Sequence, residues 1–169
     1  MVKMLPVIGV MGSGKEEHKA FAEPLGAWLA TLPVHLLTGG GRGVMTSVSR
    51  AYTEIEDRKG LAIGVLPVGK EGYPNPYVEL PIQTHLGMSG TDGENPLSRN
   101  HINVLSADIV IALPGRYGTS SEVKLALKYN KPVMVFSASR NDIPALPEEV
   151  PWTDQLDVVK AWVTTQLNL

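Results

Sequence analysis

Five short apolar runs rich in β-branched residues recur along the chain, and segments of helical period separate most of them. The runs are Val7-Ile8-Gly9-Val10, Val34-His35-Leu36-Leu37, Leu61-Ala62-Ile63-Gly64-Val65-Leu66, Asp108-Ile109-Val110-Ile111-Ala112-Leu113 and Pro132-Val133-Met134-Val135-Phe136. Near-continuous apolar strands of four to six residues suit a parallel sheet covered on both faces. Helices are expected at 16–31, 43–56, 96–106, 119–130 and 153–167, with Pro24 either kinking the first or delaying its start. In the fourth, Val123 and Leu125-Ala126-Leu127 give an apolar face, and Lys124 and Lys128 a wet one. Strands alternating with helices imply right-handed βαβ units. The fold class is therefore α/β: a doubly wound, mainly parallel, Rossmann-like sheet with helices on both faces. The 169 residues contain no internal repeat and no linker, and one domain over 1–169 is expected.

Charge and composition remove several functions. With 15 basic and 17 acidic side chains the net charge is −2, so no global nucleic-acid footprint is present. No apolar run reaches the roughly 18 residues of a membrane span, and the N-terminus lacks a signal-peptide core; a cytoplasmic protein is expected. Zero cysteines exclude disulfides, thiolate metal sites and thiol nucleophiles. His18, His35, His85 and His101 show no zinc spacing, and no G-x-S-x-G elbow presents a serine. No metal held by the protein's own side chains is expected.

Two stretches resist regular assignment. Residues 67–79 hold two glycines, three prolines and two tyrosines and read as a structured connection. Residues 85–95 hold three glycines without periodicity, and read either as a functional loop or as a mobile surface excursion.

The 17 glycines gather where strands pass into helices. The first junction is Gly12-Ser13-Gly14-Lys15 and the second Thr38-Gly39-Gly40-Gly41-Arg42-Gly43-Val44-Met45. The third is Pro114-Gly115-Arg116-Tyr117-Gly118-Thr119-Ser120-Ser121-Glu122. In an open parallel sheet these junctions lie at the carboxyl ends of strands, where ligands bind. Glycine there lets backbone N–H groups approach an anion, and the helix that follows adds partial positive charge. One such loop is explained by a tight turn alone; three on one edge point to a phosphorylated small ligand. The glycines of Gly9-Val10-Met11-Gly12-Ser13-Gly14 are wrongly spaced for a dinucleotide fingerprint, and a Walker A loop lacks its first glycine and has Glu16 after Lys15 where Ser or Thr is needed.

The charged residues near that edge have two readings each. Asn95-Pro96 reads as an N-cap with proline at the first helical position, which places Arg99 and Asn103 at i and i+4 on one helix face. Arg99 then either forks onto a phosphate or is a solvated arginine. Thr119-x-x-Glu122 matches a capping box, the reading periodicity favours, although a carboxylate there also suits acid–base work or ligand hydroxyls. Arg42 and Arg116 either close over an anion or point to water. Trp28, Trp152 and Trp162 read as core or interface.

Gly39-Gly40-Gly41-Arg42-Gly43-Val44-Met45, Arg99 and Pro114-Gly115-Arg116-Tyr117-Gly118-Thr119-x-x-Glu122 together resemble the LOG-like (LONELY GUY, "lysine decarboxylase-like") superfamily, over roughly residues 6–137. That resemblance implies a doubly wound α/β fold, a phosphorylated ligand and commonly a homodimer or homotetramer. The apolar residues of the last helix, Leu156, Val159, Trp162, Val163 and Leu167, would serve such an interface. LONELY GUY enzymes are phosphoribohydrolases that release the base from a nucleoside 5′-monophosphate, and their catalytic Arg and Glu correspond to Arg99 and Glu122. Two departures weigh against turnover: Arg116 replaces the second glycine of P-G-G, and Gly41-Arg42-Gly43 is one residue short.

The molybdenum cofactor carriers, small non-catalytic members of the superfamily, are similar over further residues. These are Ile8-Gly9-Val10-Met11-Gly12-x-Gly14-Lys15, Ile63-Gly64-Val65-Leu66-Pro67, Arg99-x-x-Ile102-Asn103-x-Leu105-Ser106, and Gly118-Thr119-x-x-Glu122-Val123 with the helix after it. In that likeness the cargo is the molybdenum cofactor, a pterin phosphate. Its phosphate and anionic head would be held by the glycine loops with Arg42, Arg99 and Arg116, while Asn103 would read the pterin. The sequence favours the carrier narrowly over the hydrolase.

Overall fold

A computed structural model describes residues 4–87 and 92–169. Its elements are β1 (Val7–Met11), α1 (Lys19–Leu29), β2 (His35–Thr38), α2 (Val44–Thr53), β3 (Ala62–Leu66), β4 (Leu80–Gln83), α3 (Asn100–Ser106), β5 (Ile109–Ala112), α4 (Tyr117–Lys128), β6 (Val133–Phe136), β7 (Trp152–Thr153) and α5 (Leu156–Leu167). The strands form one sheet in the order β4-β3-β2-β1-β5-β6-β7, and every pairing is parallel. This is the Rossmann-like α/β fold expected.

Period-two alternation explains why both faces are covered. Ile8, Val10, Ile109, Ile111, Met134 and Phe136 point into one core, which α1, α2 and α5 close. Met11, Val110, Ala112, Val133 and Val135 point the opposite way, into a second core under α3 and α4. Helix α5 joins the first core through Val159 and Val163, which are buried, while Leu156, Trp162 and Leu167 pack beside them partly buried.

Several boundaries differ from the sequence expectation. Helix α1 starts at Lys19, not 16, and Pro24 lies inside it without ending it. Both Pro24 and Ala20, whose carbonyl loses its helical donor, are exposed. Helix α3 begins at Asn100, not 96. The Asn95 side-chain oxygen accepts from Leu97 N–H (2.9 Å) and its carbonyl from Ser98 N–H (2.8 Å), an Asx turn in place of a first helical turn. Strand β4 was not expected: all four of its residues are exposed and Pro81 sits in it, which an edge strand tolerates. Strand β7 is two residues long, too short to carry a pattern, and Trp152 lies in it with its Nε1–H donated to the Ser137 carbonyl (3.1 Å). The described helices include none long and apolar enough to cross a membrane.

Candidate functional site

Ser13 ties the three glycine loops together. Its N–H donates to the Pro114 carbonyl (2.9 Å) and its carbonyl accepts from Val44 N–H (2.9 Å), so the loop after β1 is fastened to those after β5 and β2. Its hydroxyl accepts from the N–H groups of Lys15 (3.1 Å) and Glu16 (3.0 Å), which fixes the loop's own turn. Glycine at 43 is required twice over. Its φ is +64°, and an added Cβ would lie 2.8 Å from Lys15 N. No side chain caps α2 or α4, so at this edge neither helix start gives its N–H groups to a side-chain cap.

A cavity of about 650 Å³ opens over these loops. Of the residues singled out in the sequence, Gly12, Ser13, Gly14, Lys15, Gly39, Arg42, Met45, Arg99, Arg116, Gly118, Thr119 and Glu122 line it. Thr38, Gly40, Gly41, Gly43, Asn103, Pro114 and Gly115 stand behind the wall and shape it. Thr38 Oγ1 accepts from Gly40 N–H (3.0 Å), and Gly115 N–H donates to the Asp142 carbonyl (3.2 Å). Tyr117 is 59% exposed and lies outside the cavity lining.

The sequence did not single out Val10, Met11, Glu16, Lys70, Glu71 or Tyr73, which also line the cavity. The last three come from the 67–79 connection, which is ordered as expected. Asn75, 5% exposed, anchors it: its N–H donates to the Gly40 carbonyl and its side-chain amide to the Gly41 carbonyl, each at 2.8 Å. Tyr73 lies on Gly41, where an added Cβ would come within 2.7 Å of Tyr73 Cε1. The only sequence signal was the density of Pro, Gly and Tyr without a period. Asn75→Ala removes the side-chain hydrogen bond to the Gly41 carbonyl and the one Oδ1 accepts from Tyr77 N–H (3.0 Å), and is expected to cost about 1–3 kcal/mol. Urea unfolding measures that loss, and proteolysis within 67–79 should quicken.

Of the 85–95 segment, residues 88–91 lie outside the described residues, and none of the described ones lines the cavity.

Arg99 is the most informative side chain. It stands at the start of α3, its carbonyl accepts from Asn103 N–H (3.1 Å), and it is 2% exposed. Its guanidinium lies over Gly39, where an added Cβ would sit 2.6 Å from Nη2. Among the described residues it has no ion pair, and its buried Nε has no hydrogen-bond partner. A buried cation without a counter-ion is costly.

Glu122 faces the same cavity. Helix α4 begins at Tyr117, two residues before the expected start, so Thr119 lies inside its first turn and the capping box does not form. Glu122 Oε1 instead accepts from Asn103 Nδ2 (3.3 Å). Burial pushes its pKa up from 4.5 to about 7, against the opposing pull of Arg99 and of the Asn103 hydrogen bond. A half-protonated carboxyl beside an arginine can accept or donate a proton, or hydrogen-bond a ligand.

The cavity is electropositive. Lys15, Arg42, Lys70, Arg99 and Arg116 line it against Glu16, Glu71 and Glu122, and among the described residues none of the five cations forms an ion pair. Burial, with the like charges of Arg99 and Arg42, lowers the Lys70 pKa. No three His, Asp or Glu side chains among the described residues converge to hold a metal ion. The arrangement is chemically an anion receptor.

A family model described as the SLOG cluster4 family matches residues 5–161. The molybdenum cofactor binding protein of the phototrophic bacterium Rippkaea orientalis is 33% identical, with a TM-score of 0.74 over 96% of this chain and 100% of that one. The molybdenum cofactor carrier protein of Chlamydomonas reinhardtii is 30% identical, with a TM-score of 0.72 over 98% of this chain and 100% of that one. An uncharacterized protein of Archaeoglobus fulgidus is 34% identical over 128 residues, covering 75% of this chain and 76% of its own.

Proposed function

The chain belongs to the SLOG cluster4 family, and from that membership and the electropositive cavity we propose that it binds and shields the molybdenum cofactor, an anionic pterin phosphate. The observation that carries this reading is Arg99: a buried guanidinium with no protein counter-ion among the described residues, aimed into a cavity with four further cations. The phosphate lies at the start of α4, where Gly118 and Thr119 border the cavity and Arg116 adds charge. Arg116 fits there without strain because its φ is −107°, a conformation that does not require glycine. The names of the Rippkaea and Chlamydomonas proteins support the same cargo. The molybdenum would belong to the cargo.

A nucleoside 5′-monophosphate phosphoribohydrolase is the second reading, favoured by one observation. Glu122, titrating at about 7 beside Arg99, has the protonation range of an acid–base group. Two assays on the purified protein separate the readings. The carrier reading expects saturable cofactor binding, and no free base from AMP or an N6-modified AMP above the protein-free rate. Base release that is lost in Glu122→Ala overturns it in favour of the hydrolase.

A further inference from the structure

We propose that Lys70, with Arg42 and Arg99, forms a second oxoanion subsite, on the other side of β1 from the phosphate cradle at the start of α4. The inference rests on the carrier reading only for the identity of the natural ligand; the subsite itself is legible in the residues.

Strand β1 lies between β2 and β5, so the cavity has two walls. Gly118, Thr119 and Arg116 come from the β5–α4 side. Arg42, Lys70 and Tyr73 come from the loops that follow β2 and β3. Arg99 reaches that second wall, because its guanidinium occupies the space a Cβ on Gly39 would take.

The second wall is built from two interleaved loops. Arg99 lies over Gly39, Tyr73 over Gly41, and Arg42 over Gly72, where an added Cβ would meet the guanidinium at 2.8 Å. Lys70 Nζ stands 5.6 Å from the centre of the Tyr73 ring, which steadies the ammonium beside the arginines. Because Asn75 ties this connection to Gly40 and Gly41, Lys70 belongs to a fixed wall.

Three like charges on one wall repel one another, and among the described residues none pairs with a carboxylate, not even Glu71 next in sequence. Burial lowers the Lys70 pKa, and the like charges of Arg99 and Arg42 lower it further. A tetrahedral dianion offers two guanidinium forks and an ammonium the acceptors they lack. The ligand class that follows is a small molecule anionic at both ends: a phosphate monoester at one and an oxoanion-like group at the other. A nucleoside monophosphate has one such end and leaves this wall uncompensated.

Calorimetric titration of the purified protein with sodium tungstate tests the subsite. Two binding events per chain are expected, and Lys70→Met should weaken one of them about tenfold, whereas Arg116→Met weakens the other. Both side chains are exposed, so the variants should melt like the wild type. A single event, or unchanged tungstate binding in Lys70→Met, overturns the subsite. Titrating the molybdenum cofactor into the same two proteins separates this proposal from the carrier reading. Lys70-dependent tungstate binding without cofactor binding sinks the carrier reading and keeps the subsite. Equal cofactor affinity in wild type and Lys70→Met sinks the subsite and keeps the carrier.

Discussion

Arg99→Met is expected to weaken ligand binding severely while leaving the ligand-free protein as stable as the wild type or more so. Its guanidinium is 2% exposed, its Nε has no partner, and no carboxylate pairs with it among the described residues. In a protein whose arginine serves packing, replacement by a shorter apolar chain lowers stability. Here the folded state carries a desolvated charge held for a ligand, and an apolar side chain of similar volume is neutral or stabilising by about 1–4 kcal/mol. Binding should suffer about 2–5 kcal/mol, roughly 30-fold to several thousand-fold in Kd, because the buried partner of an anion has been removed. Melting temperatures with and without ligand, together with a cofactor titration, measure both halves. A variant that melts well below the wild type yet binds normally would make Arg99 a structural residue.

Glu122→Gln has the second large effect, and its sign follows from linkage. Burial raises the Glu122 pKa from 4.5 to about 7, so the native state holds this proton more tightly than the unfolded chain does. Its contribution to stability is complete below pH 4.5, is lost as pH rises toward 7, and stays lost above that. The span is at most about 3 kcal/mol. Gln is neutral at every pH and keeps the oxygen that accepts from Asn103 Nδ2. The variant should therefore gain stability at pH 8 and lose this slope, as urea melts at pH 5 and pH 8 would record. Ligand affinity should follow the same course. Ionised Glu122 repels an anionic ligand in the cavity they share, so wild-type affinity falls as pH passes 7 while the variant's profile is flat. An unchanged slope in the variant would assign the titration to another group.

Much of the fold was legible because alternation writes both faces of a parallel sheet into each strand. Ile8 and Val10 against Met11, or Ile111 against Ala112, specify two cores from a few residues. The glycine loops were equally legible, since close approach and positive φ leave few substitutes, as at Gly43. The 67–79 wall was not. Lys70 and Tyr73 join the site through the Asn75 bonds to Gly40 and Gly41, and contacts so far apart in sequence leave no local period. Strand β4 escaped for a related reason: an exposed edge strand buries no face. The capping-box reading of Thr119 and Glu122 failed because α4 starts two residues earlier, and end positions rest on hydrogen bonds that a short motif does not determine. That shift matters for function, since it releases Glu122 from a cap into the cavity.

The central claim is that the cavity holds an intact, anionic cofactor and shelters it. Following the decay of free molybdenum cofactor in buffer, with and without stoichiometric protein, tests it most directly. Slower decay with the wild-type chain, and decay at the buffer rate with Arg99→Met, is the expected result. Decay at the buffer rate in the presence of the wild-type chain would contradict it.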